Sequence, residues 1–247
     1  MTATGVTPDM VLEIFLILCF PYIPKFIRYI IMTTNKDVFD EIAESWYRFR
    51  HWSRFTVELG EVAQRWQGGK LLNVGCAHGP DFLPFKDSFE LWGVDFSTQM
   101  INLARKYATK FDFEVNLTAG DIASLPYTGN AFDWAIAVAT YHHIRGDKER
   151  LEAFCELKRV LKPGAEVFIT VWNRWQPGFW RKGKEADIAW RTKGKTLYRY
   201  YYLFSYHELD RLLTRAGFEV LSMFPEKSYR FPIKLFSRNI CVLAKAV

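Results

Sequence analysis

The chain has 247 residues, 49% hydrophobic and 17% aromatic. Such a length and apolar content can bury one large core and exclude a disordered chain. The net charge of +6 names no partner by itself, but it is unevenly placed: residues 174–199 hold eight bases and two acids, so the rest of the chain is neutral overall.

The first 31 residues stand apart. Residues 11–31 are mostly Ile, Leu, Phe and Val, interrupted by Glu13, Pro21, Pro24, Lys25 and Arg28. A spanning helix would need about 18 or more uninterrupted apolar residues, and none exists. There is neither a basic leader nor a small-residue cleavage site. An interfacial anchor, an amphipathic hook and a non-native start remain as readings. The polar stretch after Met32 favours Met32 as the start. That leaves 1–31 as an apolar extension and 32–247 as one domain, with a basic, aromatic insertion at 173–199.

From residue 37 the elements follow in order. Residues 37–50 and 55–66 carry apolar side chains at helical spacing, and the second run stops at Gly68-Gly69. Residues 70–75 and 90–95 read as strands. The helix 97–110 follows, with Ser97 as its N-cap. Strands are expected at 113–119, 134–139 and 165–171, with a helix at 147–161 halted by Lys162-Pro-Gly164. A helix at 205–216 and strands at 218–224 and 240–244 complete the chain. This alternation predicts an α/β fold: a doubly wound, seven-stranded, mostly parallel Rossmann-like sheet with a final antiparallel strand. The insertion follows neither a clean helical nor a clean strand spacing.

The four cysteines, Cys19, Cys76, Cys155 and Cys241, form no C-x-x-C pair, so no metal site is expected. Cys76 and Cys155 sit in apolar patterns and read as buried thiols. The chain reads as reduced and cytoplasmic.

The most informative stretch is residues 71–79, Leu-Leu-Asn-Val-Gly-Cys-Ala-His-Gly. An apolar strand runs into two glycines, and Asp95 ends the next strand, placed to bind ribose hydroxyls. The dinucleotide signature G-x-G-x-x-G is absent, which disfavours nicotinamide and flavin cofactors. A cofactor with a ribose and no phosphate, such as S-adenosylmethionine, suits the loop better. Taken alone, the two glycines could equally form a plain tight turn.

The loop at 73–79, Asp95, Gly120-Asp121-Ile122, Phe132-Asp-Trp134 and Leu161-Lys-Pro-Gly164 come in one order. In that order they resemble the class I S-adenosylmethionine-dependent methyltransferases. The resemblance implies cofactor contacts from Asn73, Gly75, Cys76, Ala77, Gly79, Asp95, Phe96, Asp121, Ile122 and Ala139. Asp95 would hold the ribose and Asp121 the adenine amino group. Asn73 stands where an acid is usual and Ala77 where glycine is usual.

Residues 139–144 (Ala-Thr-Tyr-His-His-Ile), 198–204 and 239–245 are similar to the wobble-uridine tRNA carboxymethyl methyltransferases, including the methyltransferase domain of the AlkB-like tRNA hydroxylase. That likeness implies methylation of the carboxylate of 5-carboxymethyluridine in the tRNA anticodon loop, with a small zinc-binding activator protein as heterodimer partner. A carboxylate needs no general base, so the work left is desolvation and aim. Arg199 and Arg50 are the candidates to grip it, assisted by His142. Trp172, Tyr200 and Tyr201 would stack on the base, while Lys182 and Lys184 would meet phosphates in an RNA-binding flap. A small-molecule or lipid (quinone-type) methyltransferase and a catalytically inactive binding protein on the same fold are the alternatives.

Overall fold

The computed structural model describes residues 34–180, 183–192, 194–230 and 232–247. The expected extension at 1–31 and Lys182 lie outside the described residues.

Five α-helices are described: α1 (Asn35–Phe49), α2 (Thr56–Trp66), α3 (Thr98–Phe111), α4 (Asp147–Val160) and α5 (Tyr206–Arg215). The strands are β1 (Gly69–Val74), β2 (Phe89–Asp95), β3 (Asn116–Ala119), β4 (Phe132–Val138), β5 (Leu161–Trp172), β6 (Glu185–Thr192), β7 (Lys195–Tyr202), β8 (Phe218–Pro225) and β9 (Asn239–Ala246). Seven of them form one sheet in the order β3-β2-β1-β4-β5-β9-β8. The first five run parallel, and β9 is antiparallel to both of its neighbours.

The sheet is covered on both faces because adjacent residues of each strand point opposite ways. On β1, Leu72 packs with Phe154 and Leu157 of α4 and with Leu209 and Leu213 of α5. Its neighbour Leu71 packs with Leu59, Val62 and Trp66 of α2 and with Phe82 and Phe85. Those phenylalanines belong to a 3-10 turn, Pro80–Phe85, that sequence spacing did not reveal. Ser97 caps α3 by accepting from the Met100 N–H at 3.1 Å.

Two expectations need correction. Cys155 is exposed, because α4 turns Ala153, Phe154, Leu157 and Val160 to the core and Cys155 lies off that face. The basic insertion is mostly an ordered antiparallel hairpin of β6 and β7. It is held by α1: Trp190 Nε1 donates to Ser45 Oγ at 3.0 Å, and Leu197 packs with Val38, Phe39 and Ile42. Asn35 clips α1 in place, donating to the His143 carbonyl and accepting from the Tyr200 N–H, both at 3.0 Å.

The sheet order reverses between β1 and β4. Open α/β sheets bind ligands beyond the carboxyl ends of their strands at such a reversal.

Candidate active site

A cavity of about 800 Å³ opens at that point, large enough for a nucleoside cofactor and part of a second molecule. Its first half is built by the loop after β1. Gly75 has φ +71°, and a Cβ there would lie 2.4 Å from both Cγ2 and Oγ1 of Thr140. Thr140 cannot easily yield, since its hydroxyl donates to the Val74 carbonyl at 3.0 Å. The N–H groups of Gly75 and Cys76 donate to the Val94 carbonyl at 2.8 and 3.0 Å, so the loop is folded tightly over β2.

Ala77 holds φ +46°, a left-handed conformation costing a non-glycine residue roughly 1–2 kcal/mol. The strain aims its N–H at Asp95 Oδ2 (2.8 Å), while the Ser97 N–H reaches Oδ1 (2.9 Å). Each carboxylate oxygen keeps acceptor capacity beyond these bonds. Burial raises the Asp95 pKa to about 6 in spite of both donors. Phe96, Asp121, Ile122 and Ala139 line the same half of the cavity. Asp121 Oδ1 accepts from the Ala123 N–H at 2.9 Å. A tight backbone loop, an acceptor at the end of β2 and apolar side chains beside it fit a ribose-bearing cofactor without a phosphate.

Three residues expected at this cofactor do not reach the cavity wall. Asn73 is fully buried on β1, and neither Oδ1 nor Nδ2 of its amide has a hydrogen-bond partner among the described residues. The Cys76 side chain is part of the core, where burial raises its pKa. Gly79 (φ +90°) instead starts the 3-10 turn.

The second half of the cavity is aromatic and basic. His142 is buried and its Nδ1 accepts from the Trp172 N–H at 3.2 Å, which places its proton on Nε2. His143 Nδ1 donates to the Tyr200 carbonyl at 2.9 Å. Burial, with Arg199 nearby, depresses both imidazoles: His143 falls to about 3 and His142 well below its ordinary range. Both rings are therefore neutral at physiological pH. The Tyr201 ring stacks on His142 at 4.8 Å and meets Trp172 at 4.2 Å.

Arg199 is 5% exposed, and its Nη1 donates to the Tyr201 hydroxyl at 2.9 Å. Trp46 and Trp190 flank the guanidinium at 5.3 and 5.0 Å. Its Nε has no hydrogen-bond partner among the described residues. Arg50 lies 4.8 Å from the Phe49 ring; burial and the neighbouring Arg54 lower its pKa to about 10, which leaves it charged. The structure thus gathers His142, Arg199, Arg50, Trp172 and Tyr201 around one space.

Tyr200 and Lys184 are not brought there. Strand alternation turns Arg199 and Tyr201 to the cavity and Tyr200 to the main core, where Arg145 covers its ring at 4.1 Å. Lys184 pairs with Glu208 at 2.9 Å. Lys195 pairs with Glu41. Fewer of the hairpin's charges are therefore free for phosphates than its composition suggested.

A family model described as a methyltransferase domain matches residues 71–164. An inferred methyltransferase of Encephalitozoon cuniculi is 30% identical over 75% of this chain and 86% of its own length. The chain belongs to the class I S-adenosylmethionine-dependent methyltransferases. A solved methyltransferase of this kind from Methanosarcina mazei shares the fold at TM-score 0.63, with 21% identity, over 75% of this chain and 97% of that one. The tRNA (carboxymethyluridine(34)-5-O)-methyltransferase of Arabidopsis thaliana is 33% identical over 55% of this chain and 31% of its own length. Demethylmenaquinone methyltransferase of Renibacterium salmoninarum is 30% identical over 49% of this chain and 47% of its own. The chain therefore spans under half the length of these last two relatives.

In this methyltransferase, sequence reading gives no site role to Trp46, Arg54 or Arg238 and reads Trp190 only as an aromatic of the basic insertion, yet all four line the cavity. Trp46 reads as a core residue of a helix, and Trp190 lies in the hairpin that was not recognised. The helical spacing of α1 carried no sign that Trp46 would flank Arg199.

Proposed function

We propose that this methyltransferase acts on the carboxylate of 5-carboxymethyluridine at the wobble position of a tRNA anticodon. The observation that carries the reading is Arg199: a buried guanidinium in the cavity, anchored by a tyrosine hydroxyl and without a carboxylate partner among the described residues. An uncompensated buried cation is costly, and a ligand anion is the natural partner for it. The name of the Arabidopsis relative supports the choice of anion.

Bound at Asp95, S-adenosylmethionine supplies an electrophilic methyl group. The chain's own residues do the rest. Arg199 and Arg50 grip and orient the acceptor carboxylate. Trp172 and Tyr201 form an aromatic wall for the uracil ring and keep water from the reacting oxygen. His142, fixed as the Nε2–H tautomer, offers a donor and not a base.

That last feature weighs against a quinone-type acceptor such as the Renibacterium relative's name implies. A phenolic acceptor must lose a proton, and imidazoles depressed this far are poor bases. A carboxylate arrives already ionised. Anticodon stem-loops carrying 5-carboxymethyluridine or its amide, 5-carbamoylmethyluridine, give a direct test. Methyl transfer is expected to the acid and not to the amide. Transfer to a demethylquinone with none to the acid would defeat the proposal.

A further inference from the structure

Gripping one carboxylate uses Arg199 and Arg50, and the cavity holds two more guanidiniums. Arg54, in the link between α1 and α2, and Arg238, just before β9, line the outer part of the same space. Both act electrostatically on Arg50, so four like charges converge with Arg199. The arginines that form ion pairs among the described residues are Arg65, Arg145, Arg150 and Arg159, and none of these four is among them. The acid that faces Arg54 and Arg238 is Glu226. It is buried and hydrogen-bonded to Asn239; burial pushes its pKa up, while Asn239, Arg54 and Arg238 pull the other way.

The four charges divide by depth. Arg199 is buried among rings, whereas Arg54 is exposed. Phe49, the last residue of α1, at 64% and Trp52 of the link at 57% are two of the most exposed aromatic residues described, and both line the cavity. Large rings held open to water beside unpaired guanidiniums suit a ligand that offers both anions and flat faces. Single-stranded nucleic acid has that chemistry.

We propose that Arg54 and Arg238 form a second anion site, which holds a backbone phosphodiester next to the nucleotide whose base enters the cavity, with Trp52 and Phe49 under the neighbouring base. The site deepens the tRNA reading and rests on it for the identity of the RNA. It assigns phosphate contact to the α1–α2 link and the approach to β9, and not to the lysines of the hairpin.

The test is binding of the full chain to a labelled, unmodified anticodon stem-loop across a salt series. For the double variant Arg54→Gln/Arg238→Gln, Kd is expected to rise about tenfold and the log–log salt slope to fall by about one, as for one lost phosphate contact. Arg54→Lys/Arg238→Lys should recover most of the slope. Arg105→Gln/Lys106→Gln, the same loss of two charges on the exposed side of α3, should change neither. Calorimetry with S-adenosylhomocysteine checks that each variant is folded. An unchanged slope in the folded Gln variant overturns the site. So does a wild-type chain that binds no RNA, including one that binds phosphatidylglycerol vesicles instead. RNA binding that needs both arginines, with no methyl transfer to carboxymethyluridine, would keep the site and remove only the acceptor assignment.

Discussion

Arg199 Nη1 and the Tyr201 hydroxyl lie 2.9 Å apart on one face of β7. Two residues apart on a strand, they share that face by geometry. The bond fixes the direction of a cation that is otherwise surrounded by rings.

This arrangement trades stability for function at a single position. Arg199→Gln should lower kcat by about 100-fold, the order expected for loss of an electrostatic donor at the reacting group. Affinity for S-adenosylhomocysteine should stay within about twofold. The melting temperature should hold or rise, because an unpaired buried charge is removed. Steady-state kinetics, calorimetry and thermal unfolding separate these effects.

Tyr201→Phe keeps the ring against His142 and Trp172 and deletes only the anchor. The loss should be milder, about 1 kcal/mol or roughly fivefold to tenfold in kcat/KM. Steady-state kinetics on the carboxymethyluridine substrate reads it.

The pH dependence should come from the cofactor half. Asp95 titrates near 6, raised by burial. As pH falls through that value the carboxyl becomes neutral and accepts less strongly, so the Kd for S-adenosylhomocysteine should climb below pH 6 and level off above it. Asp95→Asn should flatten this profile and weaken binding at pH 8 by on the order of tenfold or more. With cofactor saturating, kcat should stay flat from about pH 6 to 8.5, since His142 and His143 are neutral throughout. A histidine base with an ordinary pKa would instead make kcat fall below about 6.5.

Gly75→Ala places a methyl group 2.4 Å from the Thr140 side chain at a left-handed φ. Either the loop or Thr140 must move. Unfolding stability should drop by about 2 kcal/mol. Cofactor affinity should fall with it, as calorimetry on the folded fraction will show. Ala77→Gly is the contrasting change: relief of the strain at φ +46° should leave binding intact and stability within about 1 kcal/mol.

The parts of this fold that were legible in the sequence are those fixed by local rules. The glycine loop, the carboxylate ending β2 and the Ser97 cap each follow from backbone geometry within a few residues. Of the residues expected at the cofactor, Asp95 and Ala139 line the cavity, whereas the Asn73 and Cys76 side chains are fully buried away from it and Gly79 starts the 3-10 turn. Tyr200 could have been separated from Tyr201 by period-two alternation, had the hairpin been recognised. β6 does alternate between exposed and half-buried residues; the hairpin is obscured by β7, where Arg199, Tyr200, Tyr201 and Tyr202 are all buried and no solvent-facing alternation marks the strand. Arg54 and Arg238 come together only through the tertiary fold, and no spacing announces them.

The identity of the acceptor gives Arg199 and Tyr201 their roles. Mass spectrometry of nucleosides from tRNA bearing carboxymethyluridine, after incubation with the full chain and methyl-labelled S-adenosylmethionine, addresses it most directly. Label is expected in the methyl ester of 5-carboxymethyluridine and is expected to be lost in Arg199→Gln. Label absent from that ester, in a preparation shown by calorimetry to bind the cofactor, would contradict that assignment.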